Sequence, residues 1–362
     1  MNIIFLSIVY FAQFLIAFIA MKKSDKIKDI LLAVQAIGFT CLYGIRTSDI
    51  GHDTISYYTM YKEKDCFQTQ YAVEPNFALL VSALRKLAVN VEVFIWLLCF
   101  ISVIFIALAC RNFMLESRQN MNIVFVLVFC MPYTILMQVN VVRQGIALSI
   151  LLFGLSMMYR KKFIAGLIIA AWGCSFHYSA IVILIAFLFF YFIKSWKADC
   201  IFTLVFVAAG FLMSATPFAS WLVTWLPSNS FTDRLLVYAG ESVSGHVGTK
   251  MLYYLCYFIF ISILLVFNKK EKSNIVYQAV AGTLSAAALI SFNPLAAARM
   301  VIMMDLLIPV LLMQPETAAM VENKFGAKLS RIYWYLAIVL CVLVFLVSLA
   351  TYTMRFNLNL HL

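Results

Sequence analysis

Charge is what this 362-residue chain has least of. Only 12% of its residues are Asp, Glu, Lys or Arg, against 64% hydrophobic, and its mean hydropathy is +0.96. An ordinary soluble domain carries about 25% charged residues, so that class is excluded. The apolar runs also lack the period-2 alternation of a membrane barrel. Lipid tolerates only closed barrels and helices, so helices are expected. A cysteine pairing pattern is missing as well: the nine cysteines, at 41, 66, 99, 110, 130, 174, 200, 256 and 341, lie mostly inside apolar runs. Neither a disulfide framework nor a metal cluster follows from that spacing. No basic region precedes the first apolar stretch; Lys22, Lys23, Lys26 and Lys28 come after it. That order predicts a retained first span that starts outside, not a cleaved signal peptide. The chain has no P-loop, Gly-x-Ser-x-Gly, His-Glu-x-x-His or Asp-x-Asp. Nucleotide hydrolysis and metal binding through a standard motif are not expected.

What is present reads as a polytopic all-α integral membrane protein. A span takes ~20 apolar residues, so the chain can hold roughly 12 transmembrane helices. Apolar segments fall near 2–21, 30–45, 91–110, 121–137, 139–159, 163–176, 177–193, 200–214, 251–268, 275–292, 296–313 and 332–353. Residues 1–362 are expected to form a single polytopic transmembrane domain, with external loops at about 46–90 and 215–250. Starting outside puts 17 of the 27 Lys and Arg residues on the inner side and leaves 10 outside. This positive-inside bias predicts that both termini face outward. The net charge of +11 then belongs to the cytoplasmic leaflet and needs no nucleic acid to explain it.

The first external loop carries Arg46, Asp49, Gly51, Asp53, Thr54, Tyr57, Tyr58 and Tyr61, then Glu74-Pro75. Phe77, Leu80, Val81, Leu84 and Ala88 recur at helical spacing, which predicts an interfacial helix or the wet start of the next span. The second loop carries Trp221, Trp225 and Arg234. Its tryptophans read as an aromatic belt, with a sugar-stacking platform as the sharper alternative. Between the loops, Asn140, Arg143, Gln144 and Ala147 fall at i, i+3, i+4 and i+7, so they are expected on one helix face. A hairpin through Arg160–Lys162 would bring Arg143 and His177 to the same height. The bland reading is a snorkelling arginine and a histidine at a helix end. Arg46, Arg143, Arg234 and Arg299 lie outside the inner basic set and near span ends, where an arginine is costly unless paired or functional. Asp305, six residues after Arg299, reads first as a structural partner for it. Asp49, Asp53 and Glu74 are outer carboxylates, each a candidate base or simply solvated.

Arg46 through Asp53-Thr54 and Tyr57, Glu74-Pro75, Val142-Arg143-Gln144-Gly145-Ile146-Ala147 and Phe176-His177-Tyr178-Ser179-Ala180 together resemble the EpsG family of Wzy-like exopolysaccharide and O-antigen polymerases. Order and spacing match across about 40–190. Beyond 200 the resemblance is hydropathic, apart from Arg299 after Asn293-Pro294. The resemblance implies a layout related to lipid-linked, GT-C-like glycosyltransferases. It implies polymerisation of undecaprenyl-diphosphate-linked repeat units into exopolysaccharide, capsule or O-antigen at the outer face of the bacterial cytoplasmic membrane. The expected partners are the lipid-linked glycan donor and acceptor, membrane lipid, and a chain-length regulator and flippase of the same pathway. No cofactor or metal is expected, because diphosphate is already a good leaving group. Arg143 and Arg299 would hold the diphosphate, with Arg46 or Arg234 assisting, and Asp53 or His177 would take the acceptor proton. Tyr57, Tyr58, Tyr61 and Trp221 would meet the sugars, and Glu74, Asn140 and Gln144 complete the expected substrate-binding set. Two other classes remain open at this point. A flippase for lipid-linked oligosaccharide would hold diphosphate without reacting, and a membrane O-acyltransferase would use a histidine but not the outer arginines.

Overall fold

The structure, a computed structural model, describes residues 3–47, 50–51, 53–63, 74–115, 120–193, 195–215, 259, 274–291 and 294–355. Every expected apolar segment that falls among these residues is helical, and no strand occurs among them. The expected segment at 251–268, apart from residue 259, lies outside them, as do Asp49, Trp221, Trp225 and Arg234. The helices are α1 (Ile3–Met21), α2 (Asp25–Gly44), α3 (Thr54–Lys62), α4 (Pro75–Lys86), α5 (Val91–Phe113), α6 (Met121–Cys130) and α7 (Pro132–Val139). They continue as α8 (Val142–Tyr159), α9 (Phe163–Cys174), α10 (Ser179–Ile193), α11 (Trp196–Ala215), α12 (Ile275–Leu289), α13 (Pro294–Met313) and α14 (Pro315–Arg355), the last kinked at Gly326.

Among the described residues, five helices are long and apolar enough to cross a membrane, or six if the bent pair α6–α7 is one span. Four shorter apolar helices of 10–17 residues accompany them. A helix rises 1.5 Å per residue, so the shorter ones fall below the ~30 Å of a hydrocarbon core. Several apolar helices of this kind fit a multi-pass membrane protein. The stretch expected as one segment, 121–137, is instead two helices meeting at 75°. Pro132 explains the break: it lacks an N–H, and it pushes Met131 into extended backbone at ψ 137.

The chain divides into two compact units. The first comprises Met1–Ala180 with Pro309–Leu362. Its centre is α8, nearly all buried, packed against α5 and α9. A tight turn at Arg160–Lys162, with Lys161 at φ 62°, folds α9 back along α8. Gly154 and Gly166 make that approach possible, since a Cβ on Gly154 would lie 2.6 Å from the Gly166 carbonyl oxygen. Small residues at such crossings let helix backbones meet where lipid supplies no hydrophobic drive. Polar side chains add direction: Ser102 and Ser149 hydroxyls are 2.8 Å apart, and Gln138 Nε2 donates to Ser102 Oγ at 2.9 Å. Near the other end of α5, Arg111 grips both oxygens of Asp29 on α2, at 2.9 and 3.1 Å. Phe5, Ile8 and Phe11 of α1 are largely exposed, as a lipid-facing stripe would be.

Between α2 and α5, the described residues form two short helices, α3 and α4. On α4, Phe77 and Val81 are fully buried while Leu79 is exposed, so the expected helical spacing holds as far as Lys86, and Ala88 falls beyond the helix at φ 52°. Asn90 starts α5 separately by accepting from the Val93 N–H at 2.8 Å, which makes α4 a helix of its own. Arg85 of α4 caps the end of α3, donating to the carbonyls of Tyr61 at 2.7 Å, Glu63 at 2.9 Å, and Met60. Those are the last carbonyls of α3, which have no intrahelical donors.

The second unit is Ile181–Ile308. Within it, Gln278 Nε2 donates to the Phe190 carbonyl at 3.2 Å and Ser291 Oγ to that of Gly210 at 2.9 Å. Asn274 caps α12 through the Tyr277 N–H at 2.9 Å. Arg299 and the fully buried Asp305 both lie on α13 in this unit.

Candidate functional site

The site is built around the break between α7 and α8. Asn140 and Val141 lie between these helices, with Val141 at φ −87°, ψ 52°. The expectation that Asn140 shares a continuous helix face with Arg143, Gln144 and Ala147 is therefore corrected: Asn140 closes α7, and α8 begins at Val142. The physical reason lies in residues between α2 and α4. The carbonyls that a continuing helix would have satisfied are taken by side chains: Arg46 Nη1 donates to Gln138 O at 2.6 Å and Thr54 Oγ1 to Val139 O at 3.2 Å. A β-branched run at Val139, Val141 and Val142 gives the helix little propensity with which to compete.

The start of α8 is met from the other side by α3. The Arg143 backbone N–H donates to the Tyr57 hydroxyl at 3.5 Å, supplying one of the acceptors that a helix start lacks. Burial pushes the Tyr57 phenol above its ordinary value, and Arg143 draws it only part of the way back, so it stays protonated near neutral pH. The Arg143 guanidinium stands 5.8 Å from the centre of the Phe77 ring and pairs with Glu74 Oε2. The helix dipole and this guanidinium bring positive charge to one place, the first turn of α8.

Glu74 is the hub. It is 3% exposed, directly before α4, and its other oxygen lies 3.7 Å from His177 Nε2. The hairpin thus brings Arg143 and His177 onto the two oxygens of one carboxylate. Asn76 fixes this end of α4 to the α9–α10 turn: its N–H donates to the Ser175 carbonyl at 3.3 Å and its side chain to Ser175 Oγ. On the far side of His177, Ser179 meets Nδ1.

The other expected residues are distributed as follows. Asp53 stands half-buried at the start of α3, close enough to Tyr57 to raise its pKa. Gln144 is buried in the first turn of α8. Arg46 is 8% exposed, and its Nη1 also donates to Tyr43 O at 2.7 Å, so one nitrogen joins the ends of α2 and α7. With Phe5, Val9, Gly38 and Leu42 it borders a largely apolar cavity of about 450 Å³. Tyr58 donates to the Arg46 carbonyl at 3.4 Å. Tyr61 is not in the cluster: it stacks on Phe94 at 4.2 Å and donates to Val89 O at 2.7 Å, which secures α3 to the start of α5. Arg299 is described within the second unit and Arg234 lies outside the described residues. Among the described residues no three His, Cys, Asp or Glu side chains converge as a metal site would require. Thr54 and Ser179 enter the sequence reading only within the stretches that resemble the family, with no role of their own, and Asn76 does not enter it. Ser179 has a signal, its i+2 spacing from His177, whereas Thr54 and Asn76 act through long-range contacts with backbone and Ser175.

A family model matches residues 29–359, nearly the whole chain, and it is that of the EpsG family. The chain belongs to the EpsG family. No curated protein and no solved structure matches it. In this EpsG-family chain, the Arg143, Glu74, His177 and Tyr57 cluster draws on α3, the start of α4, the start of α8 and the turn before α10, all within the first compact unit. A partly exposed guanidinium at a helix start can hold an anion, and a buried carboxylate beside an imidazole can hold or move a proton.

Proposed function

We propose that the protein polymerises undecaprenyl-diphosphate-linked oligosaccharide repeat units into exopolysaccharide, capsule or O-antigen. The observation that carries this reading is the EpsG-family match together with Arg143 at the positive start of α8, beside a buried acid–imidazole pair. Roughly 12 spans in a GT-C-like layout, with both termini outside, would set this cluster at the outer face of the bacterial cytoplasmic membrane. Newly exported lipid-linked units would be met there. The growing glycan leaves its lipid diphosphate and is transferred to a hydroxyl of the incoming unit. Arg143 stabilises the departing diphosphate, and Arg299, Arg46 and Arg234 are the further candidates from sequence for that role. The acceptor proton passes to a group of the cluster, for which Asp53 and His177 are the first candidates from sequence. Tyr57, with Asn140 and Gln144, lines the approach. The partners are the donor and acceptor glycans, membrane lipid, and a chain-length regulator and flippase of the same pathway.

The test is glycan size in cells that lack the protein. Surface and lipid-linked glycan should collapse to single repeat units, and the wild-type gene should restore long chains. Long polymer persisting in its absence overturns the reading. Failure of single units to reach the outer face supports a flippase instead.

A further inference from the structure

The proton on His177 is fixed by its neighbours. The Ser179 backbone N–H donates to His177 Nδ1 at 3.2 Å, and the Ser179 hydroxyl lies 2.8 Å from the same nitrogen. A backbone N–H can only donate, so Nδ1 is an acceptor and the neutral ring carries its hydrogen on Nε2. That nitrogen faces Glu74 Oε1 at 3.7 Å, a gap that a shift of under an ångström would turn into a hydrogen bond. With Nδ1 accepting and Nε2 carrying hydrogen, the ring offers no lone pair to a sugar hydroxyl. Protonating Nδ1 would forfeit the Ser179 N–H bond. His177 is built to donate, not to accept.

Glu74 is the group that can accept. Its carboxylate is 3% exposed and paired with Arg143, a guanidinium in the first turn of α8 that is a quarter exposed. An arginine in the first turn of a helix is suited to hold an anion, and here the Glu74 carboxylate takes its guanidinium as an internal stand-in for phosphate. A diphosphate carries more charge and more acceptor oxygens than a carboxylate, so it is the stronger competitor for the guanidinium fork.

We propose that Glu74 is the base of the transfer reaction, masked by Arg143 until the donor diphosphate takes the guanidinium away, and that His177 is a positioning residue holding Glu74 through Nε2–H. The proposal rests on the polymerase reading above. In the step itself, the acceptor O–H proton goes to a Glu74 oxygen and the acceptor oxygen bonds to the anomeric carbon of the donor. The bond from that carbon to the phosphate oxygen breaks, and its electron pair leaves on the lipid diphosphate against Arg143. Glu74 then returns its proton to water. The arrangement makes donor binding the event that releases the base.

The experiment uses the full-length protein in nanodiscs, with farnesyl diphosphate as the binding probe. Lipid-linked repeat units from cells lacking the protein serve as donor and acceptor. If the wild type neither binds the probe nor transfers, the polymerase reading falls and this inference falls with it. Given an active wild type, Glu74→Gln is expected to bind the probe at least as tightly while single-turnover transfer drops by ~100-fold or more. His177→Gln keeps an N–H near the Nε2 position but is no base, so it should stay within roughly tenfold of wild type, well above His177→Ala. Probe binding by each variant reports a folded site. Near-normal transfer by Glu74→Gln overturns the proposal. So does a His177→Gln that binds the probe yet is as slow as His177→Ala, because that would make the imidazole itself the base.

Discussion

Arg143→Ala is expected to abolish polymer while the protein still inserts in normal amount. Three functions leave with one side chain. Its charge pairs with the buried Glu74, its guanidinium stacks near Phe77, and under the proposed mechanism it receives the departing diphosphate. Losing one preorganised donor at developing negative charge costs ~10²–10³-fold in rate. Single-turnover transfer and chain length are the measurements. Arg143→Lys should recover only part, since an ammonium supplies charge without the bidentate fork. Normal chain length from Arg143→Ala would remove this residue from the site.

Gly51→Ala should be nearly as damaging, although Gly51 carries no side chain to react. The residue sits at φ +87°, where an L side chain costs about 1–2 kcal/mol. A Cβ there would lie 2.5 Å from Asn140 Oδ1 and 2.8 Å from the Val139 carbonyl oxygen, and that backbone cannot rotate away. The loop would have to lift off the end of α7. Thr54 would then lose Val139 O, and Tyr57 would be drawn from the start of α8. The expected result is at least a tenfold loss of transfer with far-UV helix content unchanged, because positioning at the 1 Å level can cost ~10²-fold. Wild-type transfer by Gly51→Ala would show that the loop does not set the geometry of Arg143.

Part of this arrangement is legible in the residues alone. The hairpin through Arg160–Lys162 is enough to bring Arg143 and His177 together, because the chain from Arg143 to the turn and the chain from the turn back to His177 are of similar length. The spacing of Phe77 and Val81 is enough to foresee α4. Two other features are not legible, each for a physical reason. Asn140 through Ala147 read as one helix face, because the terminator is not local: Arg46 and Thr54 take the carbonyls that would have continued the helix. Glu74 reads as a loop carboxylate, a candidate base or substrate contact or simply solvated, and nothing local marks it as buried. Its burial depends on α4 tucking beside the α9–α10 turn through Asn76 and Ser175, a contact between residues 99 positions apart. Tyr61 shows the converse error of emphasis: an aromatic in an external loop suggests sugar, yet its ring already stacks on Phe94.

Under the proposed function, this EpsG-family chain is itself the polymerising enzyme, with Arg143 and Glu74 in its active site. The most direct measurement is transfer by the purified protein in nanodiscs, supplied only with lipid-linked repeat units and no other protein. The account predicts a ladder of lipid-linked products differing by one repeat unit, with release of undecaprenyl diphosphate in step with each bond formed, and no ladder from Arg143→Ala. Single repeat units that remain unjoined by a wild-type protein that binds farnesyl diphosphate would contradict it.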